Sequence, residues 1–388
     1  MKAGTLFLIF ILLTVGTSNG QTSISKPEYL KYEIGSLLKD KIFISLDTLF
    51  SQIEREQIDK GLIKNDDLEL SLSMLSYLSG FEKNTNDSTS DVCRKELLNL
   101  YPISANEYWI SIAFIRQKNN AAPTIEAIIN LIATASDNNI LFSIPLKYLT
   151  KEWKTKKVGN MTYFYRNKIN ITRAKGFDKK NKIIADKLGL QPQKFNFYLC
   201  SNYQEILFLL GWAYYAELNG KTKDGFLGGD YKTIFSIMNN EDFSHDIFHF
   251  YANKTRSNSK MNHTAEEGIA YSWGNAYYAK ANGEMIQQKE LIEELKNYIT
   301  ANPNSSLLEL FQKDIKIFNS LPSEISVKST ISSLLCDEVE AKKGIEGIKT
   351  LIKCGAGDDN FFRVLNDLVS INPTNFEKEV RKLIYRNK

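Results

Sequence analysis

The spacing of hydrophobic and polar positions separates a helical beginning of the chain from a mixed middle part. Residues 28–80 are mostly helical in pattern, with apolar positions recurring every three to four residues. From about 97 to 160 the signals are mixed. An apolar run at 125–135 predicts a buried helix, and a shorter run at 140–144 predicts a strand.

From residue 161 onward, stretches with strand character alternate with stretches of helical character. Strands are predicted at 161–165, 195–200 and 231–238, and helices at 178–188, at 242–251, from 264 onward and over most of 288–388. This order predicts an α+β fold that is mainly helical. A small mixed sheet precedes two central helices, and the C-terminal half is helical.

The first twenty residues have the features of a signal peptide. Lys2 supplies a positive charge, residues 6–15 are apolar, and 18–20 (S-N-G) suit cleavage before Gln21. The apolar run is too short to span a bilayer. We therefore expect an exported protein, periplasmic or extracellular, with no transmembrane segment after signal cleavage.

Together these patterns predict four regions. They are a signal peptide at 1–20, an N-terminal mostly helical region at 21–160, an α/β region at 161–280 and a helical C-terminal region at 281–388. The formal net charge of +4 is spread over many acids and bases, and no stretch is densely basic. This distribution argues against a nucleic-acid partner.

The four cysteines are spaced too widely for a cysteine zinc site or a redox dithiol, because no C-x-x-C is present. An exported chain can form disulfides, and four cysteines allow three pairings. Cys336 and Cys354 flank Gly344 on what the pattern predicts to be successive helices. If those helices pack antiparallel, the two sulfurs can meet, and we expect this pair to be oxidised.

All the histidines of the chain lie close together, at His245, His249 and His263. Imidazoles four residues apart on a helix point the same way and can hold one metal ion. A catalytic zinc site takes three protein ligands and leaves one position open, and Glu267 is the candidate third ligand. Asp246 is then the carboxylate placed to accept a proton from water.

Each of these residues has an alternative interpretation. His245 and His249 can instead be polar residues of a partly buried helix that binds no metal. Glu267 can belong to a capping box with Thr264, in which its side chain accepts from the backbone N–H of the cap. Glu266 lies about 100° around the helix from Glu267, so it is a candidate supporting residue and not a second equivalent ligand.

His263 has three interpretations that the sequence leaves open: a fourth ligand, a hydrogen-bond partner of a ligand, or a loop residue.

The two motifs resemble those of a known family. Residues 245–249, H-D-I-F-H, resemble the H-E-x-x-H helix of zincin metallopeptidases, and 266–271, E-E-G-I-A-Y, are similar to the N-E-G-x-A-x-Y helix of the gluzincin branch. The strand at 231–238 is similar to the edge strand along which gluzincins bind peptide. The resemblance is clearest from about 231 to 280, and it implies a zinc ion and a peptide or protein substrate.

Two departures from the family pattern divide the functional hypotheses. Asp246 is one methylene shorter than the family's glutamate base, and no later tyrosine is singled out as the oxyanion donor. The hypotheses are an exported zinc metallopeptidase, a catalytically weak or inactive relative that binds zinc or peptide, and a structural exported protein without metal.

Overall fold

The computed structural model describes most of the chain after the predicted signal peptide, which lies outside the described residues. The described residues are 23–28, 31–83, 91–118, 121–136, 139–220, 225–228, 232–237, 240–280, 282–319, 321–322 and 325–386. The chain divides into two compact units. The first comprises Met1–Pro145 with Gly211–Asn219, and the second comprises Leu146–Leu210 with Gly220–Lys388.

The secondary structure confirms the predicted α+β class. The helices are α1 (Ser36–Glu54), α2 (Leu68–Tyr77), α3 (Ser79–Lys83), α4 (Leu146–Leu149), α5 (Ile171–Leu188), α6 (Tyr203–Leu209), α7 (Ser244–Arg256), α8 (His263–Trp273), α9 (Gln288–Ala301), α10 (Leu307–Lys313), α11 (Val327–Ile352), α12 (Asp358–Val369) and α13 (Phe376–Arg386). The strands are β1 (Asp91–Pro102), β2 (Glu107–Lys118), β3 (Thr124–Ser136), β4 (Asn139–Ser143), β5 (Lys154–Val158), β6 (Met161–Tyr165), β7 (Phe195–Leu199), β8 (Trp212–Tyr215), β9 (Gly225–Gly228) and β10 (Thr233–Ser236).

The first unit is built on an antiparallel sheet in the order β1-β2-β3-β4, with β8 paired to β3. The buried helix predicted at 125–135 is therefore wrong, because this run lies in β3. Residues 129–134 are all buried, so both faces of the strand are covered and the polar alternation that marks a half-exposed strand is missing. The mostly helical region predicted for 21–160 is likewise wrong beyond α3.

The second unit contains the small mixed sheet, which precedes α7 and α8 as predicted. Its order is β5-β6-β7-β10-β9, with β6, β7 and β10 parallel and β5 and β9 antiparallel to their neighbours. The strand predicted at 231–238 is observed as β10, but it is not the edge strand. Among the described residues, β9 closes this end of the sheet and covers the edge of β10.

The helices α5 and α7 to α13 bury their apolar faces in one core, which also includes side chains of the sheet. The principal partner of α8 is α11. Their backbones approach closely at Gly268, where a Cβ atom would lie 2.8 Å from the carbonyl carbon of Ser332. Within the part of the chain that the structure describes, no helix is both long enough and apolar enough to cross a membrane.

Replacing Gly268 with alanine is expected to lower the free energy of unfolding by about 1–3 kcal/mol, because the added methyl group forces α8 away from α11. The matched control is Gly176→Ala in α5, where a Cβ meets no heavy atom within 4 Å. There the gain in helix propensity is expected to raise stability by up to about 1 kcal/mol. Urea unfolding measures both, and stabilisation of both variants would contradict the close α8–α11 contact.

All four cysteines are free thiols, so the predicted Cys336–Cys354 disulfide is wrong. Gly344 does interrupt α11 with a φ of 61°, as the prediction of two helical segments requires. The thiols are nevertheless directed to different carbonyls, Cys336 to Ala265 O at 3.7 Å and Cys354 to Gly355 O at 3.6 Å.

Candidate metal centre

The helix α7 presents the two histidines on one side while its other side enters the core. Ile247, Phe248 and Tyr251 are fully buried. His245 and His249 are four residues apart, so their rings lie one above the other along the helix, with centroids 5.0 Å apart. The i,i+4 spacing therefore brings the imidazoles together, as the sequence predicts.

The helix α8 carries Glu267 toward these histidines. Its N-cap is Asn262, whose side chain accepts from the backbone N–H of Ala265 at 3.0 Å. Thr264 lies inside the helix and donates its hydroxyl to Asp358 at 2.6 Å. The capping box proposed for Thr264 and Glu267 is therefore wrong, and the Glu267 carboxylate lies within 3.4 Å of both histidines.

One donor atom each from His245, His249 and Glu267 lies within 4.8 Å of the other two, an arrangement here called the donor triangle. The distance is 3.2 Å between the Nε2 atoms of His245 and His249, 3.4 Å from His245 Nε2 to Glu267 Oε2, and 3.2 Å from His249 Nε2 to Glu267 Oε1. Tetrahedral coordination with bonds of about 2.0–2.1 Å places ligand atoms roughly 3.3 Å apart. These three residues can therefore hold a metal ion.

Hydrogen bonds on the far side of each ring set the histidine tautomers. His245 Nδ1 lies 3.0 Å from Asn275 O, and because a carbonyl can only accept, Nδ1 carries the proton. His249 Nδ1 lies 3.3 Å from the Glu266 carboxylate, which selects the same tautomer. In both rings Nδ1 is therefore committed to its acceptor, and the two Nε2 atoms are the ones that face a common point and are available to a metal ion.

Glu266 supports His249 from outside the donor triangle, as its position about 100° around α8 from Glu267 allows. It is 0% exposed, and its second carboxylate oxygen accepts from the Arg256 guanidinium. The guanidinium also donates to Asn253 Oδ1 at 2.6 Å. Arg256, Glu266 and His249 thus form a buried chain that orients the His249 ring.

The electrostatics of the site favour positive charge beside the carboxylates. Burial opposes protonation of His249, but hydrogen bonds to Glu266 and Glu267 outweigh it and raise the pKa of His249 to about 10. Burial also opposes ionisation of Glu267, but the bonds from His245 and His249 hold the pKa of its carboxyl well below the ordinary value. A metal cation held by these residues would take the place of the His249 Nε2 proton.

Asp246 is half-buried beside this triangle. Burial raises the pKa of its carboxyl above the ordinary value; His245 and His249 oppose that shift, and Glu267 adds to it. A carboxylate with raised proton affinity next to the donor atoms has the character expected of a proton acceptor.

The triangle and Asp246 line a cleft of about 700 Å³. The other lining residues are mostly polar or aromatic: Gly225, Met261, His263, Thr264, Tyr271, Ala276, Tyr277, Tyr278, Asp314, Ser326, Lys328 and Ser329. Gly225 belongs to the edge strand β9, so the cleft runs beside a sheet edge. His263 is exposed on the cleft wall and lies outside the donor group.

The sequence analysis assigned no role to two tyrosines that line the cleft. Tyr271 follows Glu267 by four residues in α8, a spacing that places both on one side of the helix and could have revealed it. Tyr277 has a φ of 71° and donates its hydroxyl to Gly225 O at 3.1 Å, and no local pattern signals this contact. The rings of Tyr271 and Tyr277 lie 5.8 and 5.5 Å from that of His245.

No protein-family model matches the chain, and neither a curated protein nor a solved structure matches it.

Proposed function

We propose that this chain is a zinc-dependent hydrolase of peptide bonds, similar in its site to the gluzincin metallopeptidases. The observation that carries the proposal is the donor triangle of His245, His249 and Glu267 on the wall of a cleft. Two imidazole nitrogens and one carboxylate oxygen are the donor set of catalytic zinc sites, which keep a further position for water or substrate.

The residues around the triangle have complementary roles in this proposal. A bound zinc ion supplies Lewis acidity, which polarises a carbonyl group and makes water a nucleophile near neutral pH. Asp246 accepts the proton of the attacking water and delivers it to the leaving amine. Burial chiefly raises the pKa of Tyr271, so its phenol remains protonated and can donate to the developing oxyanion.

In this proposal the backbone of the edge strand β9 forms hydrogen bonds with the substrate. A peptide lying along β9 can pair with the edge of the sheet, and its alternate side chains then face the cleft. This contact replaces the one predicted for 231–238, because β10 is covered by β9.

Metal analysis and a peptidase assay on one preparation test the proposal. We expect about one zinc per chain after stripping, reloading and dialysis, and cleavage of members of a fluorogenic peptide library. Asp246→Asn should retain the zinc and lose the cleavage. Absence of zinc from the dialysed wild-type protein would overturn the metal site itself.

The short reach of aspartate favours a second candidate function, zinc-dependent peptide binding without turnover. Replacing Asp246 with glutamate is expected to raise peptidase activity by about 10- to 100-fold, because positioning of the base is then restored. Asp359→Glu, on the exposed surface of α12, is the matched control and should change nothing.

The two functions give different results in this experiment. Wild type and Asp246→Glu both inactive at full zinc occupancy would reject the peptidase function in favour of the binding function. A glutamate variant less active than wild type would show that the cleft is built around aspartate, and the account of a displaced base would be wrong.

A further inference from the structure

The second unit carries a groove lined by lysines between α5 and the β5–β6 hairpin. Lys156, Lys157, Lys175, Lys179 and Lys182 line a concavity of about 620 Å³, here called the lysine groove. Val158, Gly159, Ile171 and Asp178 complete its lining. None of these residues belongs to the candidate metal centre.

Two separate segments contribute the lysines. Lys175, Lys179 and Lys182 are exposed and follow one another at intervals of four and three residues, so they lie along one side of α5. Lys156 and Lys157 are exposed on β5, which is an edge strand of the sheet. Packing of α5 against β5 places lysine residues of both segments on the lining of one groove.

The one carboxylate in the groove is occupied by structural contacts. Asp178 Oδ1 accepts from the backbone N–H of Asn160 at 2.8 Å, and Oδ2 pairs with Lys182 at 2.8 Å. Gly159, with a φ of 57°, permits this contact, because a Cβ atom there would lie 2.0 Å from the Asp178 carboxylate. Five lysines and one aspartate leave a formal charge of +4 on the lining.

We propose that the lysine groove binds a sulfated polysaccharide chain through its sulfate groups. Ammonium groups are compact point charges with three donors, which suit sulfate esters without a fixed approach direction. The residues that line the groove include no arginine and no aromatic ring on which a nucleic-acid base could stack. The lysines line a concavity, a shape that suits a flexible polyanionic chain better than a flat bilayer.

A structural role for the edge strand explains only part of the groove. Lysines on an edge strand prevent pairing with other chains, which accounts for Lys156 and Lys157. It does not account for three further lysines on the adjacent side of α5. The convergence of the two sets is therefore the feature that indicates a polyanionic ligand.

Calorimetric titration of the full chain with a heparin oligosaccharide, repeated at several NaCl concentrations, tests the proposal. We expect saturable binding that weakens steeply with salt. The triple variant Lys156→Gln, Lys175→Gln, Lys179→Gln should bind at least about tenfold more weakly, because three of the converging charges are gone. These side chains are exposed, so the fold should be retained.

A second triple variant removes the same charge elsewhere. Lys289, Lys316 and Lys378 are exposed lysines of the same unit, and their replacement by glutamine should leave heparin affinity within about twofold of wild type. Equal losses of heparin affinity in the two triple variants would show that only the net charge of the protein matters, and would overturn the proposal.

Further titrations separate the sulfated chain from other polyanions. Single-stranded DNA of matched charge and vesicles with anionic lipid should bind more weakly than heparin, and equal or tighter binding of either would overturn the assignment. His249→Ala should bind heparin as wild type does, so the test stands apart from that of the metal centre.

Discussion

Replacing His249 with alanine is expected to remove stoichiometric zinc binding. His249 Nε2 lies 3.2 Å from both His245 Nε2 and Glu267 Oε1, so its loss leaves one nitrogen and one carboxylate, which is fewer than the three protein ligands of a catalytic zinc site. The loss of affinity should exceed the ~10–100-fold that follows when only the hydrogen-bond partner of a ligand is removed. Competition with a chromogenic chelator measures the affinity directly.

The third histidine provides the matched control for this experiment. His263 lines the same cleft but lies outside the donor triangle, so His263→Ala should bind zinc as wild type does. If the two alanine variants lose zinc equally, the triangle does not define the site. Circular dichroism of the metal-free proteins checks that both variants are folded.

Replacing Glu266 with alanine is expected to destabilise the metal-free protein by about 3–5 kcal/mol. The carboxylate is 0% exposed and pairs with Arg256, whose side chain is only 12% exposed, so its removal leaves a largely buried charge without its ionic partner. His249 Nδ1 also loses its acceptor, and zinc affinity should fall by about 10- to 100-fold. Urea unfolding in the presence of a chelator and a separate zinc titration measure the two effects.

The alanine variant of the neighbouring residue, Glu267, is the comparison for Glu266→Ala. Glu267→Ala should lose more zinc affinity than Glu266→Ala but cost less metal-free stability, because the Glu267 side chain is 34% exposed. Reversal of this order would exchange the roles assigned to the two residues. A metal-free Glu266→Ala protein within about 0.5 kcal/mol of wild type would contradict the buried ion pair.

Local periodicity located several elements of the second unit but missed β1, although burial alternates along it at Cys93, Lys95 and Leu97. The predictions at 161–165, 178–188 and 195–200 correspond to β6, α5 and β7. It also failed at β3, where both faces are buried over 129–134 and the pattern shows only an apolar run. An apolar run of that kind is compatible with a buried helix or a buried strand.

The lysine groove shows that the distribution of charge along the sequence can also miss a feature of the tertiary structure. No single stretch of the chain is densely basic, and the five lysines lie in two segments separated by the β6 strand and a loop. Their convergence depends on the packing of α5 against β5. Linear charge density therefore could not indicate this surface.

The sequence by itself determined which residues were candidates for the metal centre, because the i,i+4 spacing of His245 and His249 places them together on any helix. Tertiary structure decided everything that depends on two elements meeting. The packing of α7 beside α8 places the Glu267 carboxylate in the donor triangle and not at a helix cap. It also brings the Glu266 carboxylate to Arg256 and His249. Long-range packing contributes these contacts, and no local pattern encodes which side chains of separate helices will face each other.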